Sequence, residues 1–264
     1  MRSTDFTSGT DGCPAVVTHV AQGEWHALED DRLVGRGDAW HRPDGRLFVS
    51  VDSWRGAVFD QLADAMAAAL PRPLYTMVDE TDADLASRWE RVGFASRRRE
   101  WECLVPTDPR TTGLDPVPPQ GVTIVPLGAA QEGPLRALYG MIRDEVEATV
   151  GWQEMPAQVL PGPDTGSVVD PSRYAVAVRS GDYVGLLRVT GPARQPRLGL
   201  VAVRADQQRR GVSRALLAQV LGELHGRGVR TAWAEVGESN QAARALLDGI
   251  GAQRVRGNVE LVLR

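Results

Sequence analysis

The sequence predicts a mixed α/β fold, a mostly antiparallel sheet with helices on both faces. Three features of its 264 residues point there. Residues 174–179 and 184–190 are short apolar stretches joined by Ser180-Gly181-Asp182, residue types suited to a tight turn. Residues 198–203, 212–226 and 230–236 then read as strand, helix and strand, which suggests a mixed sheet. Finally, the spacing of key residues in the second half recurs in the first.

From the N-terminus, residues 15–20, 24–28 and 32–37 read as strands, 56–70 as a helix and 97–105 as a β-like stretch. Residues 106–120 are proline-rich and read as a linker, after which alternating apolar residues resume at Val122. This divides the chain into domains 1–105 and 121–264. The second half begins with a strand at 122–126, a helical region at 134–150 continuing at 155–160, and a loop at 161–172. After the strand–helix–strand unit come a helix at 241–250 and a closing strand pair ending with residues 254–263.

Composition narrows the function. Apolar residues make up 42% of the chain, ample for packed cores, and the net charge of −4, without basic clusters interleaved with aromatics, argues against nucleic acid as a partner. All 30 basic residues are arginine, to which we attach no chemistry. Cys13 and Cys103 lack metal-ligand spacing and read as reduced thiols rather than a disulfide; no metal site is expected. No apolar run approaches the roughly 18 residues of a membrane span, and residues 1–12 lack a signal-peptide core. A cytoplasmic protein is expected.

The motif richest in chemistry is the entry to the helix at Gly211. Helix N-termini carry unpaired N–H groups and partial positive charge, and so bind anions, phosphates above all. Gly211 permits close approach, Ser213 is small, and Arg209, Arg210 and Arg214 add charge-assisted donors. The stretch from Gln208 to Arg214, with Val212 inside it, therefore reads as a pyrophosphate cradle. It is neither a P-loop nor a Gly-x-Gly-x-x-Gly dinucleotide fingerprint. A strand–turn–helix with a solvated arginine run also accounts for this motif taken alone.

The spacing Gln208-x-x-Gly211-x-Ser213 resembles the signature of the GNAT superfamily of acyl-CoA-dependent N-acyltransferases, [Gln/Arg]-x-x-Gly-x-[Gly/Ala]. Ser213 departs from the last position, and Ala205 replaces the usual proline. Downstream, Asn240-x-x-Ala243-x-x-Leu246-Leu247-x-x-x-Gly251 is similar to the family's second motif, with Asn240 at a helix N-cap position. The resemblance implies acetyl-CoA as co-substrate, entering a slot between splayed strands and pairing with the backbone of Val201, Ala202 and Val203. It further implies that the N–H near Val203 serves as an oxyanion donor and that Asn240 reaches the pantetheine arm.

Both halves share this layout. Asp82 precedes Gly93 by eleven positions, as Asn240 precedes Gly251; Glu102 and Glu260 each follow by nine. This resembles the tandem GNAT arrangement of mycothiol-synthase-like enzymes, with a degenerate first copy. From Val51 to Gly56 is five positions against eight from Val203 to Gly211, and Val58 replaces Ser213, putting a branched side chain over the amides. The early strands leave no room for the two helices that build the family's acceptor pocket. One CoA per chain is expected.

Attack by an acceptor amine on the thioester requires proton removal. At the positions where tandem relatives carry an acid on the strand before the phosphate loop, this chain has Arg197 and Gly199. Glu235 on the next strand is the candidate base, its pKa raised by burial beside Trp233; the alternative is a solvent-facing residue on an alternating strand. Asp144, Glu145, Glu147 and Glu154 are candidates for holding a cationic acceptor, or else solvated helix-face charges, and Trp152 and Tyr174 are candidate pocket walls, or else core. Leu247 stands where the resemblance places the general-acid tyrosine, and Tyr174 replaces it only if the fold carries it across the slot. The leading expectation is a small-molecule N-acetyltransferase, monomeric or homodimeric. The alternatives are a protein N-terminal or lysine acetyltransferase and a non-catalytic CoA-binding sensor.

Overall fold

Strands of alternating pattern require partners on both edges, and this chain finds many of them far away in sequence. The computed structural model describes residues 15–42, 44–156 and 169–264. The first half forms strands β1 (Val16–Ala21), β2 (Glu24–Glu29), β3 (Arg32–His41) and β4 (Leu47–Asp52). Helix α1 (Gly56–Ala69), strand β5 (Leu74–Asp79), helix α2 (Ala83–Arg91) and strand β6 (Ala95–Pro106) complete it. Helix α3 (Pro109–Thr112) lies in the connection. The second half runs β7 (Val122–Val125), α4 (Glu132–Glu147), β8 (Tyr174–Arg179), β9 (Asp182–Thr190) and β10 (Arg197–Val203). It continues with α5 (Val212–Gly226), β11 (Thr231–Gly237), α6 (Gln241–Asp248) and β12 (Gln253–Leu263).

Among the described residues these strands form one sheet, in the order β1-β2-β3-β4-β5-β12-β6-β11-β10-β9-β8-β7. The sheet is mixed and mostly antiparallel, as expected. Its parallel pairs are β4 with β5 and β10 with β11, each held through two residue pairs only. The centre overturns the expected closing strand pair. One strand, β12, follows α6, and it pairs with β5 and β6, both from the first half. Reciprocally, β6 pairs along its length with β11 of the second half. Each half thus donates its last strand to the other.

The cores follow this exchange. Cys103 and Val105 of β6 pack with α5, α6 and β11, while Leu261 and Leu263 of β12 pack with α1, α2 and β5. Cross-strand pairing sets Trp101, Cys103 and Val105 on the same face as Val259 and Leu261, so α1, α2, α5 and α6 all cover one face. Helix α4 covers the other through Leu135, Leu138 and Ile142, packed on Tyr174, Val176, Leu186 and Leu200. No helix separates β1 from β2.

Two further expectations need correcting. The expected linker is a packed strap. Thr107 donates from its backbone N to Arg230 O (3.1 Å) and from Oγ1 to Val229 O (2.6 Å), and Leu114 is buried in the α5 core. Val58 turns into the core at 3% exposure rather than over the helix amides; a side chain at Gly56 would instead collide with the Arg88 guanidinium. The expected helix at 155–160 and loop at 161–172 fall largely on residues 157–168, outside the described residues, as does Cys13; Trp152–Glu154 forms a 3₁₀ turn. Cys103 is a buried free thiol.

On the face opposite α5, Glu260 joins the halves. Its side chain is 0% exposed and meets Arg46 Nη1 (2.9 Å), Arg97 Nη1 (2.7 Å) and Arg98 Nη2 (2.9 Å). Removing one member of a buried charge network strands the others without compensation. Glu260→Ala is therefore expected to cost about 3–5 kcal/mol, measured as a lower urea midpoint. Glu132→Ala, which breaks a surface pair with Arg136, serves as the comparison and should shift it little. Equal shifts for the two would contradict the clamp.

Candidate active site

Strand β10 stays bonded to β9 along its length but leaves β11 after two positions, Arg197↔Trp233 and Leu198↔Ala234. Its register against β9 slips between Leu198 and Val201, a bulge that re-aims the strand. Beyond it, Val201, Ala202 and Val203 pair with Leu187, Leu186 and Gly185 on one side only. Their other edge faces a widening slot. Arg204 N donates to Val184 O on β9 (2.9 Å), so strand alternation turns the N–H of Val203 toward the slot.

The slot leads to the N-terminus of α5. Gly211 is the N-cap at φ +81°, a left-handed conformation that glycine adopts without the penalty of a side chain, and no side chain caps the helix. The amides entering the helix at Val212, Ser213 and Arg214 therefore lack the usual side-chain acceptor. Arg209, at φ +63°, and Arg210 are exposed beside them.

Other residues hold this loop in place. Gln208 Nε2 donates to Val203 O (3.0 Å), Glu145 accepts from Ala205 N (2.9 Å), and Arg179 donates to Gln207 (3.0 Å). The Arg214 guanidinium points to Gly249 O (3.4 Å) and Gly113 O (3.5 Å), engaged by the end of α6 and the strap. Asn240 caps α6, its Oδ1 accepting from Ala243 N (3.0 Å), which leaves its amide nitrogen to donate. Asp82 caps α2 likewise, accepting from Leu85 N (2.9 Å). Leu247 is buried in the core.

Glu235 sits one position beyond the last β10–β11 pair, on the face opposite α5. Its side chain is 4% exposed, so the solvent-facing alternative is overturned. Burial pushes its carboxyl up to about 7, reinforced by the carboxylates of Glu100 and Glu102 and opposed chiefly by Arg197, its ion-pair partner. Glu102 lies directly opposite it across the β11–β6 pair. Oε2 of Glu235 is buried without a hydrogen-bond partner among the described residues.

The other candidate acids serve structure: Glu145 at the loop, Glu147 accepting from Trp152 N (2.7 Å), and Glu154 on Arg97. Asp144 is exposed. Trp152 packs edge-on to Tyr139 with ring centroids 5.7 Å apart. Tyr174 is buried under α4, two strands from β10, with burial raising its hydroxyl pKa; it does not stand across the slot. Arg42, Arg46, Arg98, Glu100 and Glu102, which surround Glu235 electrostatically or neighbour those that do, carry no local sequence signal. A concavity of about 800 Å³ near Pro192, Arg194 and Arg230 lies at the far ends of β10 and α5 from the cradle.

Residues 140–251 match the model of the Acetyltransferase (GNAT) family. A segment of 51 residues is 51% identical to the [Ribosomal protein bS18]-alanine N-acetyltransferase of Escherichia coli K12, covering 19% of this chain and 34% of that protein. The chain thus spans about a third of the length of the curated relatives it matches. Among solved structures it resembles a GCN5-related N-acetyltransferase from Sphaerobacter thermophilus (TM-score 0.66, 19% identity, 93% of this chain and 82% of that one). It also resembles a tandem GNAT protein from the clavulanic acid biosynthesis pathway (TM-score 0.62, 17% identity, 95% and 83%). Among the described residues no helix is long and apolar enough to cross a membrane.

The raised carboxyl makes stability depend on pH. The folded chain keeps the Glu235 proton to about pH 7, whereas the ordinary value is 4.5. Between these values the folded state binds more protons than the unfolded one, so stability falls as pH rises, by up to roughly 3 kcal/mol. Glu235→Gln should shrink this loss, read as urea midpoints at pH 5 and 8. Identical pH dependence in both proteins would count against the burial of an ionisable Glu235.

Proposed function

We propose that this chain, whose residues 140–251 match the model of the GNAT acetyltransferase family, transfers an acetyl group from acetyl-CoA to the amine of a small molecule in a ternary complex. The observation that carries the reading is the succession of three features along β10. They are a bulged strand with a free edge, an α5 N-terminus without a side-chain cap, and a buried carboxyl at the apex of the splay.

In this reading the amides of Val212, Ser213 and Arg214 hold the CoA diphosphate behind Gly211, with Arg209 and Arg210 adding charge. The pantetheine arm runs along the free edge of Val201, Ala202 and Val203, and the Asn240 amide nitrogen reaches the same arm. Gln208 and Arg214 act mainly by holding the loop. Glu235, ionised, takes a proton from the acceptor ammonium, and the freed amine attacks the thioester carbon. The Val203 N–H stabilises the oxyanion that forms. As the C–S bond breaks the thiolate leaves as an anion, tolerable for a thiol with pKa of about 8.5, and Leu247 need supply no proton. We place one CoA site in the second half; in the first, the Arg88 guanidinium occupies the space beside Gly56.

The bS18-alanine relative favours a second reading, with a protein N-terminus as acceptor. On the Glu235 face, Arg98 holds the carbonyls of Glu154 and Met155 (both 2.6 Å) against β6. A non-catalytic CoA sensor draws on Leu247 and on Arg197 and Gly199, which stand where a strand acid is missing.

Ser213→Glu tests the cradle, because a carboxylate at the start of a helix helps the helix while repelling a diphosphate. Thermal stability should hold or rise, and calorimetric titration should show acetyl-CoA binding weakened at least tenfold. Unchanged affinity would remove the assignment. Glu235→Gln tests the chemistry by thiol release across an amine panel. The wild-type rate should climb with pH through about 7, and the variant should lose a factor of roughly 10²–10⁴ in kcat with KM for acetyl-CoA unchanged. A fully active variant would exclude Glu235 as base.

A further inference from the structure

The face opposite α5 carries more charge chemistry around Glu235 than proton transfer needs, and most of it comes from the first half. Strand β6 sets Glu102 opposite Glu235 and Glu100 two residues away on the same face. Glu100 is 3% exposed, and its Oε1 is ion-paired to Arg98 Nη2 (2.6 Å) but has no hydrogen-bond partner among the described residues. Glu235 Oε2 has none either. Two buried carboxylates thus each hold one oxygen without a hydrogen-bond partner, that of Glu100 still ion-paired to Arg98. Buried polar atoms are ordinarily satisfied, and an orphaned pair in a candidate site marks where a ligand's donors would go.

A cation faces them. Arg42, in the connection between β3 and β4, lays its guanidinium 3.8 Å over the Phe48 ring. Among the described residues it makes no ion pair and no side-chain hydrogen bond. It is half-buried and interacts electrostatically with Glu100, Glu260, Glu235 and Asp44. Neighbouring acids are already taken: Asp44 is paired to Arg46 (2.6 Å), and Glu260 is shared by Arg46, Arg97 and Arg98. Arg197 is bound to Glu235. What lacks a hydrogen-bond partner among the described residues is therefore of both signs: one oxygen each on Glu235 and Glu100, the latter still ion-paired to Arg98, and a stacked planar donor on Arg42.

We propose that the acceptor is an amine that also carries an acidic group, a carboxylate or phosphate, bound between the two halves. Its amine lies at Glu235 and Glu100, and its acid on the Arg42 guanidinium. This rests on the transferase reading and adds its substrate class. A diamine would bring a second cation against Arg42, and a simple alkylamine would leave that guanidinium unmatched. Guanidinium suits such a partner because its fixed fork binds carboxylate and phosphate oxygens in pairs.

The test uses the full chain and thiol release from acetyl-CoA with ω-amino acids of increasing length, each beside its ω-amino amide. At the best length the acid should exceed its amide at least tenfold in kcat/KM. Arg42→Gln should bring the ratio to within about twofold, chiefly by raising KM for the acid, and Arg42→Lys should restore part of it. Circular dichroism and thermal midpoints report whether the variants fold, and the wild-type ratio needs no variant. A wild-type enzyme that treats acid and amide alike, or favours the amide or a diamine, overturns the proposal while leaving the transferase reading intact. So does a ratio that survives Arg42→Gln. Acetyl-CoA binding with no thiol release from any amine overturns both.

Discussion

The reciprocal loan of β6 and β12 is the constraint from which the rest of the structure follows. Without β6, strand β11 would have β10 as its only neighbour, and only at two residue pairs. A strand so weakly held cannot define the rigid side of a slot. With β6 bonded along its length, β11 is fixed and β10 is free to bend away at its bulge. The opening between strands is then a property of a stiff sheet rather than a loosened edge. The Glu260 clamp works in the same place, tying the β3–β4 connection, β6 and β12 on the face where Glu235 lies.

The exchange also explains the unusual state of Glu235. A carboxyl on a strand is most easily buried against apolar neighbours, but this one is buried among other carboxyls, two of them on a strand from the other half. Loss of water above all, and their repulsion, raise its pKa, and Arg197 opposes the rise. Two of the carboxylates acting on Glu235 thus lie more than a hundred positions away in the chain. The loop at the other end of β10 is tuned locally, by a left-handed glycine and by braces from Gln208, Glu145 and Arg179.

This division sets what could be read from the sequence. Local order was legible. Residues 174–179 and 212–226 fold as the strand and helix expected, because period and turn chemistry are encoded within a few positions. The Gly211 entry and the Asn240 cap were legible for the same reason. The matched spacings of Glu102 and Glu260 were visible, yet not their meaning: nothing local says that a strand will pair across the chain rather than with its own half. Hence the expected closing pair proved to be one strand, and the expected linker a packed strap. Val58 was misplaced because an equivalent position was taken to imply an equivalent direction, whereas Gly35 lets it sink into the core. Arg42, Glu100 and the Glu260 arginines could not be found at all, since the site they share exists only once the sheet has closed.

The interlaced centre bears on how such a chain can change over generations. A gene coding for two side-by-side units can lose either one and keep a working product. Here each unit's hydrophobic interior is finished by the other's tail, so deletion of the first would open a furrow one strand wide in the second. The first unit is thereby shielded from loss whatever it binds. Its surface is free to drift toward new recognition, while its last strand stays bound to the neighbour's chemistry.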